Sequence, residues 1–143
     1  VRQERQELLT RPRAPRLDVI LNEAVIRRPF GGNMLMTAQL SHVVEVTQRT
    51  NVTVRIVPFA VGGHAGAGAG AFTILDFPED HRTGELLEPP LVYLDTMTAG
   101  MYLQKPEEVD PYRRAWDDLR KKALDTEASK NMITEAMEGH TND

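Results

Sequence analysis

Within about forty residues the chain passes from a strand pattern to a helix pattern and back to a strand pattern. Few folds accommodate that order. Leu17, Val19 and Leu21 alternate with Asp18, Ile20 and Asn22, a two-residue period with one face more apolar than the other. A short helical turn is expected over Glu23 to Arg28, stopped by Pro29 and the Gly31-Gly32 pair. Asn33 is a residue type that caps helices, and after it Met36, Leu40, Val43, Val44 and Thr47 recur at helical spacing, with Gln39, Glu45 and Gln48 off the stripe. Val52 to Pro58 reads VTVRIVP, too short and too stiff at its β-branched positions for a helix. Strand, helix and strand in this order make a right-handed crossover between parallel neighbours.

The rest of the chain supplies further strands over Phe72 to Phe77, Leu91 to Asp95 and Met101 to Gln104. Two helices close it. Glu107 to Leu124 carries Val109, Tyr112, Trp116, Leu119 and Ala123 on one stripe, and Pro111 marks the expected start of its regular part, with Asp110 as cap. Asp125 to Met137 follows, with Asp125 as cap. The expected fold is α/β: one mixed sheet of four to five strands, packing helices, and two C-terminal helices that build a dimer contact. Residues 1–11 read as a connecting helix, residues 12–138 as a single regulatory domain and residues 139–143 as a frayed tail.

At 143 residues and 41% hydrophobic, the chain suffices for one ordinary core. No apolar run approaches the roughly 18 to 20 residues that cross a bilayer, and the arginine-rich start lacks the apolar stretch of a signal peptide, so a cytoplasmic location without membrane contact is expected. Zero cysteines exclude thiol nucleophiles and Cys-ligated metal sites. Charge is divided: residues 1–75 hold nine basic and five acidic groups, and residues 76–143 hold eight and sixteen. An acidic half repels a duplex, so the chain by itself is a poor nucleic-acid binder.

The stretch GGHAGAGAGA, from Gly62 to Ala71, invites a nucleotide-binding reading, since Gly66, Gly68 and Ala71 satisfy G-x-G-x-x-A after a strand. The helix N-terminus that would hold a pyrophosphate is missing, because the residues that follow are strand-like. A mobile connection, serving as a lid, is the expectation, with His64 unburied inside it. No histidine has a partner at metal-ligand spacing, and no cofactor is expected. Glu23, Arg27 and Arg28 lie just past the first strand, where α/β folds place ligands. Glu23 and Arg27 are also four apart in the favourable order for a surface ion pair, worth about 0 to 1 kcal/mol. Tyr93 is a mid-strand residue that could reach the same region. If the first two strands are parallel, the glycine loop and Glu23 leave them at one edge, which places Glu23, Arg27 and His64 at one cleft. No nucleophile elbow or recognisable carboxylate pair points to catalysis.

The segments LNEAVIRRPFGG, NVTVRIVPFAVGGHAGAGAGAFTILDF, LVYLD and MYLQKPEEVDPYRRAWDDLRKKAL, taken in order, resemble one family. It is the C-terminal domain of bacterial helix-turn-helix regulators of the xenobiotic-response-element type, often called antitoxin-like. The resemblance runs from about Arg2 to Met137. It implies a non-enzymatic regulatory domain, DNA contact only through an upstream helical domain, and a small partner protein encoded by a neighbouring gene. A small-molecule effector and a homodimer are compatible with it. The start without Met, inside a charged helix, agrees with an upstream domain. The family has an acidic residue and arginines where Glu23, Arg27 and Arg28 stand, and a glycine-rich loop with a histidine where His64 stands. Loop composition and Pro111 depart from its pattern. The competing expectation is a nucleotide-binding, enzyme-like domain using the glycine loop with Glu23 and His64, and a thermal-shift screen with nucleotides separates the two.

Overall fold

The computed structural model describes Glu7, Thr10 and residues 14–29, 31–86, 88–95 and 97–142. Most of the expected connecting helix, residues 1–11, lies outside the described residues. Glu7 is helical, and the Thr10 N–H and hydroxyl both donate to its carbonyl, at 3.1 and 2.9 Å.

Where one regulatory domain was expected, the chain forms two compact units, residues 1–62 with 123–143 and residues 63–122. In the first, β1 (Leu17–Asn22) pairs in parallel with β2 (Val52–Val57), from Leu17 opposite Val52 to Asn22 opposite Val57. Between them run α1 (Glu23–Arg27) and α2 (Asn33–Val46). The parallel pairing is as read from the sequence. Asn22 caps α1, its Oδ1 accepting the Ala24 N–H at 3.0 Å. Asn33 does not cap α2: Gly32, at φ 94°, takes that position, and Asn33 is the first helical residue. Its side chain faces α4 instead, with Oδ1 3.4 Å from His140 Nδ1.

α4 (Thr126–Asn142) completes the unit. Ile26, Met36, Leu40, Val52, Val54, Ile56, Ile133 and Ala136 form a buried core shared by β2 and the three helices. The stripe 133, 136, 137, 140 continues the helical period beyond Gly139, and residues 139–142, expected as a tail, are helical. His140 is 8% exposed, and its Nε2 lies 2.9 Å from the Ile26 carbonyl.

The outer edge of β2 is occupied at Ile56 within this unit. The Ile56 carbonyl accepts the Leu124 N–H at 2.8 Å, and the Ile56 N–H donates to Ser129 Oγ at 2.9 Å. Arg55 donates through Nε to the Leu124 carbonyl at 2.8 Å and through Nη2 to the Ala123 carbonyl at 3.0 Å. Asp125 caps α4 as expected, accepting the Ala128 N–H at 2.7 Å. With its ladder groups occupied here, Ile56 offers no edge to a further strand. The five strands stand in two sheets, one parallel and one antiparallel.

The second unit holds β3 (Phe72–Leu75), β4 (Leu91–Asp95) and β5 (Gly100–Leu103), antiparallel in that order, and α3 (Pro106–Lys122). α3 covers one sheet face: Phe72 meets Tyr112 edge-on at 5.2 Å, and Asp76 takes both Nη1 and Nη2 of Arg113, at 3.0 and 2.7 Å. Pro111 stands inside α3 and does not begin it. A proline here removes one hydrogen bond to the Glu107 carbonyl, and Glu107 is exposed, so water reaches that oxygen.

The Arg113 guanidinium holds the Asp76 carboxyl below its ordinary value. A depressed folded-state pKa contributes stability above the unfolded value of about 3.9, lost as pH falls through the folded one. The pair is worth about 0 to 1 kcal/mol, because Asp76 and Arg113 side chains are 60% and 37% exposed. Asp76→Asn should accordingly lower the melting temperature by no more than a few degrees at pH 7 and reduce the steepness of its fall below pH 4. A titration indistinguishable from the parent would show that the bidentate pair is not held in solution.

Candidate functional site

Glu23 and Arg27 come together as the sequence order requires, but the pair is not a surface pair. α1 starts at Glu23, so this carboxylate lies at the C-terminal end of β1, beside the chain leaving β2. Its Oε2 accepts from Arg27 Nε at 3.1 Å and its Oε1 accepts the Phe59 N–H at 2.9 Å. The Glu23 side chain is 12% exposed and that of Arg27 is 33% exposed. Both carboxylate oxygens are occupied in tying α1 to the first turn after β2, a 3-10 turn over Phe59–Val61. A carboxylate so engaged positions backbone. Arg27 also approaches Glu135 of α4 at 3.7 Å.

Arg28 ends α1: its N–H donates to the Ala24 carbonyl at 3.2 Å. It is exposed and forms no ion pair among the described residues. Val25 and Phe59, 44% and 59% exposed, leave apolar surface on the two elements that Glu23 joins.

His64 and Tyr93 belong to the other unit and stand on different elements. His64 precedes a second 3-10 turn, Ala65–Gly68, and its carbonyl accepts the Ala67 N–H at 3.1 Å. The ring is half-buried, contrary to the unburied position expected, and its Nδ1 is buried with no hydrogen-bond partner among the described residues. The glycine stretch is thus folded into turns. Gly66 explains part of its composition, since a β-carbon there would lie 2.8 Å from Leu119 Cδ1. That glycine admits the side chain of α3 and leads, through Gly70 at φ 68°, into β3 rather than into a helix. No phosphate-holding helix N-terminus follows.

Tyr93 pairs across the sheet with Thr73 and Tyr102, its ring 5.0 Å from that of Tyr102. Among the described residues no group of three or more His, Asp or Glu is placed to hold a metal ion. No helix among them is long and apolar enough to cross a membrane.

Three residues central to the first unit were not singled out from the sequence: Arg55, Ser129 and His140. Only His140 had a signal, its place on the 133, 136, 137 stripe. Arg55 in a strand and Ser129 in a helix are locally unremarkable, because their partners lie far away along the chain.

These features define an α/β fold of two units in which the Glu23–Arg27 pair joins α1 to the turn after β2. The chain belongs to the DUF5753 family, a domain of unknown function, which matches residues 1–135. Comparison with curated proteins and with solved structures gave no match.

Proposed function

We propose that this chain is the non-enzymatic regulatory domain of a helix-turn-helix transcription regulator of the xenobiotic-response-element type. It senses a small partner protein, or an effector, and passes that state to an N-terminal DNA-binding domain. The observation that carries the reading is Glu23. The residue best placed for chemistry spends both carboxylate oxygens on the Phe59 N–H and Arg27, with Arg28, Val25 and Phe59 exposed around it. Such a surface is suited to contact, and contact there bears directly on how the chain leaves β2. The antitoxin-like resemblance supports the same class. The acidic balance of residues 76–143 argues against direct DNA reading.

The test compares the chain with its complete reading frame in a gel shift on the gene's own promoter. Residues 1–143 alone are expected to show no sequence-specific binding at about 150 mM salt, where nonspecific attraction has faded. The complete protein is expected to bind, with an affinity that changes when the neighbouring gene's small product is added. Specific binding by residues 1–143 alone, or a complete protein indifferent to both DNA and the small product, would end this reading.

A further inference from the structure

We propose that the open edge of β5 is a docking site for a partner protein, which adds an extended, basic segment as a fourth strand beside β5. This inference rests on the partner-sensing reading above and names the surface that would do the sensing. β5 ends the sheet order, and among the described residues no backbone hydrogen bond from outside the sheet reaches Gly100–Leu103. An outer strand offers a row of donors and acceptors that a peptide can complete, with side-chain surroundings deciding which peptide.

Those surroundings favour a cation. Tyr93, Asp95, Gly100 and Tyr102 share one face of the sheet, because Tyr93 pairs with Tyr102 and Asp95 with Gly100. It is the face turned away from α3, since Phe72, on the opposite face, meets Tyr112. Gly100 has no side chain, and Tyr93 occupies the space above it: a β-carbon at Gly100 would lie 2.8 Å from the Tyr93 hydroxyl oxygen. Tyr93 therefore leans across β5 with its hydroxyl over the outermost strand. Tyr102, 66% exposed, flanks it.

A residue on an added strand opposite Gly100 would meet a phenol oxygen and two aromatic rings, a setting that attracts Arg or Lys. Asp95 lies in the same row, two strand spacings from the added strand, or about 10 Å. A long basic side chain covers that span. The wider charge agrees. Glu79, Glu85, Glu88 and Asp95 are all exposed, and none forms an ion pair among the described residues. Residues 63–122 hold eleven Asp and Glu against seven Lys and Arg, and residues 96–104 carry no charge at all. A second copy of this chain would bring another Asp95 to the same row and, with no charge in residues 96–104, no cation to meet it, so the edge favours a basic partner.

The experiment uses three fluorescently labelled synthetic octapeptides on the whole chain. One alternates Val with Lys and Arg, one replaces its basic residues by Glu, and one keeps the basic residues but replaces two valines by Pro, which cannot donate to a ladder. Anisotropy should show binding of the first peptide, at least tenfold weaker binding of the proline peptide and none of the acidic one. Amide shifts should centre on Gly100–Leu103. Asp95→Asn, at an exposed position, should weaken the first peptide three- to tenfold, and Tyr102→Ala at least tenfold.

Equal binding of the proline and strand peptides would reduce the edge to diffuse electrostatics and overturn the proposal. So would failure of every peptide to bind, or shifts confined to other elements. Self-association abolished by Tyr102→Ala would give the edge to a second copy, again overturning it. Because these peptides need no DNA-binding domain, binding as described alongside a negative promoter test would retain the edge and remove the regulatory reading.

Discussion

Replacing Ile133 by alanine should lower the unfolding free energy by about 2 to 5 kcal/mol, the range for deleting a large aliphatic group from a packed interior. Ile133 is wholly buried on α4, in one core with Ile26, Met36, Leu40, Val54 and Ile56. These neighbours come from β2, α1 and α2, which share one buried core, so the cavity has little freedom to collapse. The measurement is urea unfolding of the whole chain, in which the midpoint should fall at unchanged slope. Met97→Ala is the control: Met97 is fully exposed, and its loss should fall within about 0.5 kcal/mol. An Ile133→Ala variant as stable as that control would mean that α4 does not dock on the β1–β2 core.

Glu23→Ala should cost about 2 kcal/mol, within the range for hydrogen bonds to a charged group and well above that of a surface pair. The sequence order of Glu23 and Arg27 pointed to the smaller figure. The larger one follows from the 12% exposure of the Glu23 side chain and from its bond to the Phe59 N–H. Glu23→Gln keeps an oxygen for that N–H while giving up the charge facing Arg27, and should cost roughly half as much. Hydrogen exchange separates the two effects, because the Phe59 amide should lose protection in Glu23→Ala and keep most of it in Glu23→Gln. Unchanged protection of Phe59 in the alanine variant would show that the clamp between α1 and the exit of β2 does not exist in solution.

Much of the candidate site could be read only in part. Glu23 and Arg27 were legible because an ion pair four residues apart is a local feature of a helix. That Glu23 also holds Phe59 was not, since the contact spans thirty-six residues and uses a backbone N–H that every non-proline residue carries. Tyr93 was recognisable as a half-buried strand residue, but its place over Gly100 depends on the β4–β5 register. His64 looked exposed because its neighbours are glycines. Its Nδ1 is nevertheless buried.

By itself the sequence determined whatever a single period encodes: the alternation of Leu17 to Asn22, the stripe of α2, the stiff run of β2, the cap at Asp125, and through strand-helix-strand order the parallel pairing of β1 with β2. Tertiary structure alone decided what depends on the second partner of each group. The Ser129 hydroxyl and the Leu124 N–H take the open side of Ile56, and the strands stand in two sheets where one was expected. His140 finds the Ile26 carbonyl, so α4 runs on to Asn142. The physical reason is the same in each case. Propensity and periodicity act over a few residues, whereas a buried donor or acceptor must be satisfied by whichever group the fold brings to it, at any distance along the chain.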